Sequence, residues 1–289
     1  MKYLSYPGCS LRSTGRAYEE SLVAVFQALE IQYEELKDWN CCGATSYVSI
    51  DEMDAFALAA RNLALAEKHK RDVIAPCSSC YTILAKTHRY MKELPELHEK
   101  INECLKEGGL SYNLSVNVRH PLDVLINDIG LDKIREKTVH RLDGLKIANY
   151  YGCQIVRPEK GFDDREEPMT MDNLFSAIGA ENVYYPMKVK CCGGMLMTTY
   201  EDVALKLSKE IIECAVENKA NCIVTTCPLC QMNLEAYQDV INKVYKTKYN
   251  MSILFFTQVL GLAFGFSDKE LGINKNLTDS IKLNGALVQ

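Results

Sequence analysis

Short runs of β-branched and aromatic residues alternate along this chain with longer stretches whose apolar positions recur every three to four residues. Lys2 to Tyr6, Gln32 to Leu36, Asp72 to Ala75 and Val116 to Val118 read as strands, and Gly15 to Glu30 and Asp51 to His69 as amphipathic helices. The same order then returns. Leu145 to Tyr150, Asn182 to Tyr185, Cys222 to Thr225 and Ile253 to Phe256 read as strands, and Pro168 to Gly179 and Glu201 to Asn218 as helices. The last strand of each half leads into a helix expected to end at Gly130 or Gly265. Strand–helix alternation of this kind predicts an α/β protein of two homologous halves, each a mostly parallel sheet with flanking helices. We expect the division in the polar stretch Asp132 to Asp143, giving halves 1–140 and 141–289. Leu94 to Leu110 is read as an added helical turn of the first half, and Thr278 to Gln289 as a peripheral tail.

Cysteines mark the repeat most sharply. The first half carries Tyr6-Pro7-Gly8-Cys9, then Cys41-Cys42-Gly43, then Cys77-Ser78-Ser79-Cys80. The second answers with Tyr150-Tyr151-Gly152-Cys153, Cys191-Cys192-Gly193 and Cys227-Pro228-Leu229-Cys230. In both halves 34 residues separate the vicinal pair from the CxxC, whereas the preceding interval is 31 residues in one and 37 in the other. Every cysteine group follows a predicted strand, and parallel sheets place ligand sites beyond their strands' carboxyl ends. Three loops per half should therefore converge on one sheet edge. Cys104, Cys214 and Cys222 have no counterpart in the repeat and are expected to be buried small hydrophobes.

Composition narrows the chemistry. A chain that is 47% hydrophobic and 25% charged is an ordinary globular one, and its net charge of −5 with no basic block gives no footprint for nucleic acid. Met251 to Phe266, the longest apolar stretch, falls short of the roughly 20 residues of a spanning helix and is interrupted by Thr257 and Gln258. With no secretory pattern at Met1 to Tyr6, the expectation is a cytoplasmic protein without a membrane span. Thirteen cysteines in that compartment point to metal or redox chemistry rather than a disulfide framework.

Thiolates are soft anionic donors suited to zinc, copper(I) and iron–sulfur centres. Counting separates these. Structural zinc takes four ligands and an ordinary cubane takes four cysteines, so a set of five leaves one over. Adjacent Cys41 and Cys42 would then reach different irons, or one would bridge two, implying a cluster of unusual shape. A zinc half-site or a dithiol remains the alternative for either CxxC taken alone. Gly43 and Gly193, and likewise Gly8 and Gly152, would let backbone approach inorganic sulfide and aim N–H groups at it.

The pattern Cys…Cys-Cys-Gly…Cys-x-x-Cys, present twice, resembles the CCG-domain family, and over essentially the whole chain the heterodisulfide reductase B subunits of methanogenic archaea. The resemblance implies two non-cubane [4Fe–4S] clusters, one on Cys9, Cys41, Cys42, Cys77 and Cys80, the other on Cys153, Cys191, Cys192, Cys227 and Cys230. It implies that the mixed disulfide of coenzyme M and coenzyme B lies between them and is reduced to its two thiols. Two one-electron clusters would match the two electrons that S–S cleavage takes. No GxGxxG or P-loop follows a strand, so electrons must come from outside. The implied partners are the ferredoxin-like component of heterodisulfide reductase and its flavin-bearing, electron-bifurcating component, linked to a hydrogenase or formate dehydrogenase.

An anionic substrate of that kind calls for cations. Arg12 and Arg157, just past the first cysteine of each half, and Lys188 and Lys190, before the second vicinal pair, are the candidates, against the plainer reading of solvated surface charge. His120, at a strand end, is a weak candidate proton donor, with a structural role twice as favoured. Rival readings are other CCG-family proteins, from thiol:fumarate reductase or from glycolate or lactate oxidoreductase, and a non-catalytic electron-transfer or quinone-reducing anchor protein.

Overall fold

The structure, a computed structural model, describes residues 2–44, 47–158 and 161–278; most of the expected tail lies outside them. Eight strands form two four-stranded sheets in which every pair is parallel. The first holds β1 (Lys2–Ser5), β2 (Gln32–Glu35), β3 (Val73–Ile74) and β4 (Val118–Arg119) in the order β2-β1-β3-β4. The second holds β5 (Lys146–Tyr150), β6 (Glu181–Asn182), β7 (Cys222–Thr225) and β8 (Ser252–Phe255) in the matching order β6-β5-β7-β8. This is the expected α/β architecture of two similar halves. In each sheet the chain steps outward from the first strand to the second, then returns to the first strand's other side. That reversal opens a crevice at the carboxyl ends of β1 and β3, and of β5 and β7.

Burial follows position in the sheet. Central β7 is buried at all four residues and reads as the continuous run Cys-Ile-Val-Thr, while edge β2 alternates exposed and half-buried residues. The helices of the first half are α1 (Arg16–Ala28), α2 (Glu52–Glu67), α3 (Ser78–Glu93), α4 (Pro95–Glu107) and α5 (Leu131–Lys137). Those of the second are α6 (Thr170–Ala177), α7 (Glu201–Glu217), α8 (Pro228–Ala236), α9 (Gln238–Tyr245) and α10 (Phe256–Ala263). Asp51 starts α2, its carboxylate accepting the N–H groups of Met53 at 2.8 Å and Asp54 at 3.3 Å, a cap worth about 1 kcal/mol.

Several expectations are corrected. Leu94 to Leu110 is no single added turn but contains the thirteen-residue α4, because Pro95 forces Leu94 out of helical geometry (φ −123°, ψ 92°), ending α3 and starting a new helix. The stretch Asp132 to Asp143, where the division was placed, holds most of α5, anchored by the fully buried Ile134. Only Glu181 and Asn182 pair as a strand where Asn182 to Tyr185 was expected. The segment leading to Gly130 is a wide π-helical turn, Val124–Ile129, after a single α turn. Cys214 and Cys222 are buried as expected, but Cys104 is exposed, on a helix that buries Ile101 and Leu105 instead.

The two halves share one core. Buried apolar side chains form a continuous cluster through both, and Tyr18 of α1 stacks on Phe255 at a centroid distance of 4.5 Å and 9° between planes. Beside it Ser21 and Thr257 share a buried hydrogen bond of 2.6 Å.

Gly43 and Gly193 show why a glycine must follow each vicinal pair. Both have left-handed φ (+82° and +91°), and a helix lies against each: a Cβ at Gly193 would stand 2.7 Å from Ala204 Cβ and 2.9 Å from its Cα. Gly193→Ala should therefore destabilise the metal-free chain by about 3 kcal/mol, combining backbone strain and overpacking. Gly109→Ala, at φ +66° with no atom within 4 Å, should cost about 1 kcal/mol. Thermal unfolding of the two variants checks this, and equal shifts would mean that α7 does not press on Gly193.

Candidate metal centres

Each strand end delivers its glycine–cysteine step into the crevice with the same device. At Gly8 (φ +62°) a Cβ would come 3.2 Å from Cys80 Sγ, and at Gly152 (φ +71°) 3.1 Å from Cys230 Sγ. Glycine is thus needed both for the backbone turn and for the close approach of the last sulfur of the set. The preceding tyrosine ties two loops together: the Tyr6 hydroxyl donates to Asn40 O at 2.8 Å and the Tyr150 hydroxyl to Lys190 O at 2.6 Å, each acceptor immediately before a vicinal pair. Burial and the nearby thiols Cys80, Cys42, Cys41 and Cys9 raise the Tyr6 phenol far above its usual range, so it remains a donor. Tyr150 behaves likewise, beside Cys230, Cys192 and Cys153.

The vicinal loops are held from behind. Buried Asn62 accepts Asn40 N–H at 3.0 Å and donates to Asn40 O at 3.1 Å; buried Asn233 donates to Cys192 O at 3.1 Å and Gly194 O at 3.0 Å. The sulfurs then fall within reach of one another. Cys42 and Cys80 are 3.1 Å apart and Cys192 and Cys230 3.5 Å. Hydrogen bonding with Cys41, then with Cys80, draws the Cys42 thiol down to about 4, while sharing with Cys42 pushes Cys41 up. In the second half the bond with Cys153 draws Cys191 down to about 6, aided by the Gly193 N–H at 3.4 Å and by the charge of Arg157. The Gly193 N–H is directed at a cysteine sulfur, and the missing Cβ of Gly43 and Gly193 makes room for α2 and α7.

Cys77 and Cys227 occupy the N-cap positions of α3 and α8. Interaction with Cys230, and then with Cys77 of the other half, lowers the Cys227 thiol, while interaction with Cys227 raises Cys77. Ser78 Oγ and Thr226 Oγ1 meet alongside at 3.1 Å, and Thr82 Oγ1 donates to Gln154 O at 2.6 Å. All five cysteines of the second set line one cavity of about 180 Å³, together with Ser78, Ser79 and Ala44 of the first half. Cys9 and Cys41 of the first set are exposed, as is Cys191 of the second. Among the described residues no three Cys, His, Asp or Glu side chains stand in the geometry of a single-ion site. Five soft donors around one space suit an iron–sulfur centre.

The other candidates separate. Arg12 is held by Glu19 at 3.2 Å and by Glu35. Lys188 is spent on buried Asp172 at 2.8 Å, whose other oxygen accepts from Tyr151. Lys190 is exposed. Arg157 donates its Nε–H to Cys153 O at 3.3 Å and lines a second, larger groove. His120 is fully buried, its Nδ1 accepting Leu122 N–H at 3.2 Å and its Nε2–H donating to Pro76 O at 3.0 Å, next to Cys77. Burial pulls its pKa down to about 4, so at neutral pH the ring is uncharged and acts as a brace. Sequence reasoning missed Ser78 and Ser79 as cavity walls; their place inside the CxxC, at the first turn of α3, was the available signal.

Two parallel sheets with three cysteine loops at each carboxyl edge define a duplicated cysteine-rich redox fold. The model of the CCG family, a cysteine-rich domain, matches residues 3–85 and 147–235, and the chain belongs to that family. It is 34% identical over 98% of its length to the membrane anchor subunit of 8-methylmenaquinol:fumarate reductase from Wolinella succinogenes, covering 99% of that protein. It is equally 34% identical to the B subunit of ferredoxin:CoB-CoM heterodisulfide reductase from Methanosarcina mazei, over 95% of this chain and 93% of that one. A protein of Archaeoglobus profundus described as like the B subunit of heterodisulfide reductase is 35% identical, with 97% of each covered. A crystal structure of a hypothetical protein from Helicobacter pylori shares the fold at a TM-score of 0.78 and 15% identity; 96% of this chain covers 52% of that one. No helix of the described residues is long and apolar enough to cross a membrane.

The brace at His120 has a pH consequence. Its folded pKa of about 4 lies below the ordinary 6.5, so between those values the unfolded chain takes up a proton that the folded chain cannot. Stability should fall as pH drops through that window, by on the order of 3 kcal/mol at most. Urea unfolding at pH 7.5 and pH 5 should show a steeper loss for the wild type than for His120→Gln. Parallel losses would show that the ring is not buried neutral.

Proposed function

We propose that each half holds one non-cubane [4Fe–4S] cluster on its five cysteines, and that the chain is the disulfide-reducing member of a larger oxidoreductase. Its substrate would be the mixed disulfide of coenzyme M and coenzyme B, bound at the junction of halves 1–140 and 141–289. What carries this reading is the junction itself, where Ser78 Oγ and Thr226 Oγ1, each next to a CxxC cysteine, meet at 3.1 Å and bring the two five-thiol groups side by side. When bound, the clusters supply one-electron chemistry, and two adjoining sites match the two electrons of S–S cleavage.

The chain's own contribution is enclosure and orientation. Ser78 and Ser79 make one wall of the second cavity polar, while Leu229 and Met195 make another apolar, so an unsymmetrical disulfide has a preferred direction. Gly8 and Gly152 supply backbone at sulfur distance, and the tyrosine straps fix loop separation. With no dinucleotide or nucleotide fingerprint, the chain would receive electrons from a ferredoxin-like partner, fed by a flavin-bearing one and a hydrogenase or formate dehydrogenase. The equal likeness to the Wolinella membrane anchor favours one second reading, in which the clusters only relay electrons from a quinol.

Anaerobically purified protein should contain about eight irons and eight acid-labile sulfides per chain. Cys227→Ser should drop iron to about half, while Cys104→Ser should leave it unchanged. Turnover of the heterodisulfide with reduced viologen would support the disulfide reading, whereas menaquinol oxidation without disulfide turnover would support the relay. About two zinc ions and no sulfide would overturn both.

A further inference from the structure

A second cavity, larger than the cysteine chamber and separate from it, has no part in the reading above. It is a groove of about 830 Å³, in the range of small-molecule sites of roughly 300–1,000 Å³, and too small for a folded partner. Lys86, Arg89, Lys92, Arg119 and Arg157 line it, against two carboxylates, Glu93 and Asp123. Both carboxylates are already engaged, Glu93 by Arg89 at 3.9 Å and Asp123 by Arg119. Lys86 is held by Glu52 and lies over the rings of Phe56 and Tyr90. Lys92 and Arg157 have no carboxylate partner among the described residues. Arg12, which occupies the comparable position after Cys9, is locked between Glu19 and Glu35. Of these two arginines, it is the second half's that is left facing a cavity.

The groove also has a direction. Ser78 and Ser79, at the start of α3, line the cysteine cavity, while Thr82, Lys86 and Arg89, one to three turns further along, line the groove. From Ser79 to Lys92 the helix spans about 20 Å. On the other wall, Cys153 and Gln154 face the cavity and Arg157 and Pro158 the groove. The Thr82–Gln154 hydrogen bond of 2.6 Å is the sill between them. Tyr81 and Phe162 add an apolar floor.

We propose that this groove binds the phosphate- or sulfonate-bearing end of an elongated small molecule, with Lys92 and Arg157 as its principal anchors. That the molecule's other end reaches the second cysteine set rests on the disulfide reading above; the anion site itself does not. Charge-assisted hydrogen bonds from a guanidinium and an ammonium suit such an oxyanion, and the apolar floor suits a connecting chain.

The test is a titration of inorganic phosphate into anaerobic, cluster-loaded full-length protein, followed by ³¹P line broadening. The wild type should show saturable broadening that sulfate displaces. Lys92→Gln with Arg157→Gln, both exposed, should weaken it by about tenfold or more, the equivalent of losing one charged hydrogen bond. Lys243→Gln, an exposed lysine on α9, should leave it unchanged. Identical titrations for the wild type and the double variant, or no saturable binding to either, would overturn the proposal. Phosphate binding does not depend on turnover. Protein that binds phosphate through these residues yet never reduces a disulfide would refute the disulfide reading and keep the groove.

Discussion

Ten sulfurs crowded into two small spaces repel one another once ionised, and the rest of this structure is arranged to hold them there. Thiolates at 3.1 to 3.5 Å are tolerable only if they share protons or a metal centre, and only if their loops cannot spread. The restraint comes from behind the sulfurs: Tyr6 and Tyr150 strap the strand ends to the vicinal loops, and buried Asn62 and Asn233 satisfy the loops' backbone groups. Backbone without a Cβ then lets the last sulfur of each set close in. A metal centre with five soft ligands would relieve the repulsion, so occupancy and rigidity reinforce each other.

Duplication gives this device twice, but the copies are not equivalent. The first set has two exposed cysteines, Cys9 and Cys41, and the second one, Cys191; the second lines a chamber walled partly by Ser78 and Ser79 of the other half. An electron carrier and an unsymmetrical ligand would meet different faces of such a pair. The junction is rigid, since Tyr18 on Phe255, Ser21 on Thr257 and the His120 brace are all buried there.

Much of this was legible beforehand. The period-two strands and period-3.6 helices appear within a few residues of their expected places, because each buries one face or both in a parallel sheet whose order is fixed by short connections. The ten paired cysteines were identified from spacing alone, since their intervals repeat. What misled were local readings: Leu94 to Leu110 concealed a whole helix because the Leu94-Pro95 step interrupts an otherwise continuous helical pattern, and Cys104 was assigned to the core on residue type although its helix turns it outward.

The sequence by itself determined the strand–helix alternation, the duplication and the repeated cysteine pattern, because these depend on residue type and spacing along one chain. Tertiary structure alone decided which groups would meet. Ser78 and Thr226 are 148 positions apart and share a hydrogen bond, and four of the groove's five cations come from one half and the fifth from the other. Likewise Arg12 and Arg157 hold comparable places after their cysteines, yet Glu35, brought in by β2, neutralises only the first. No period or spacing encodes such pairings, since they arise from how two sheets and their helices pack around a shared core.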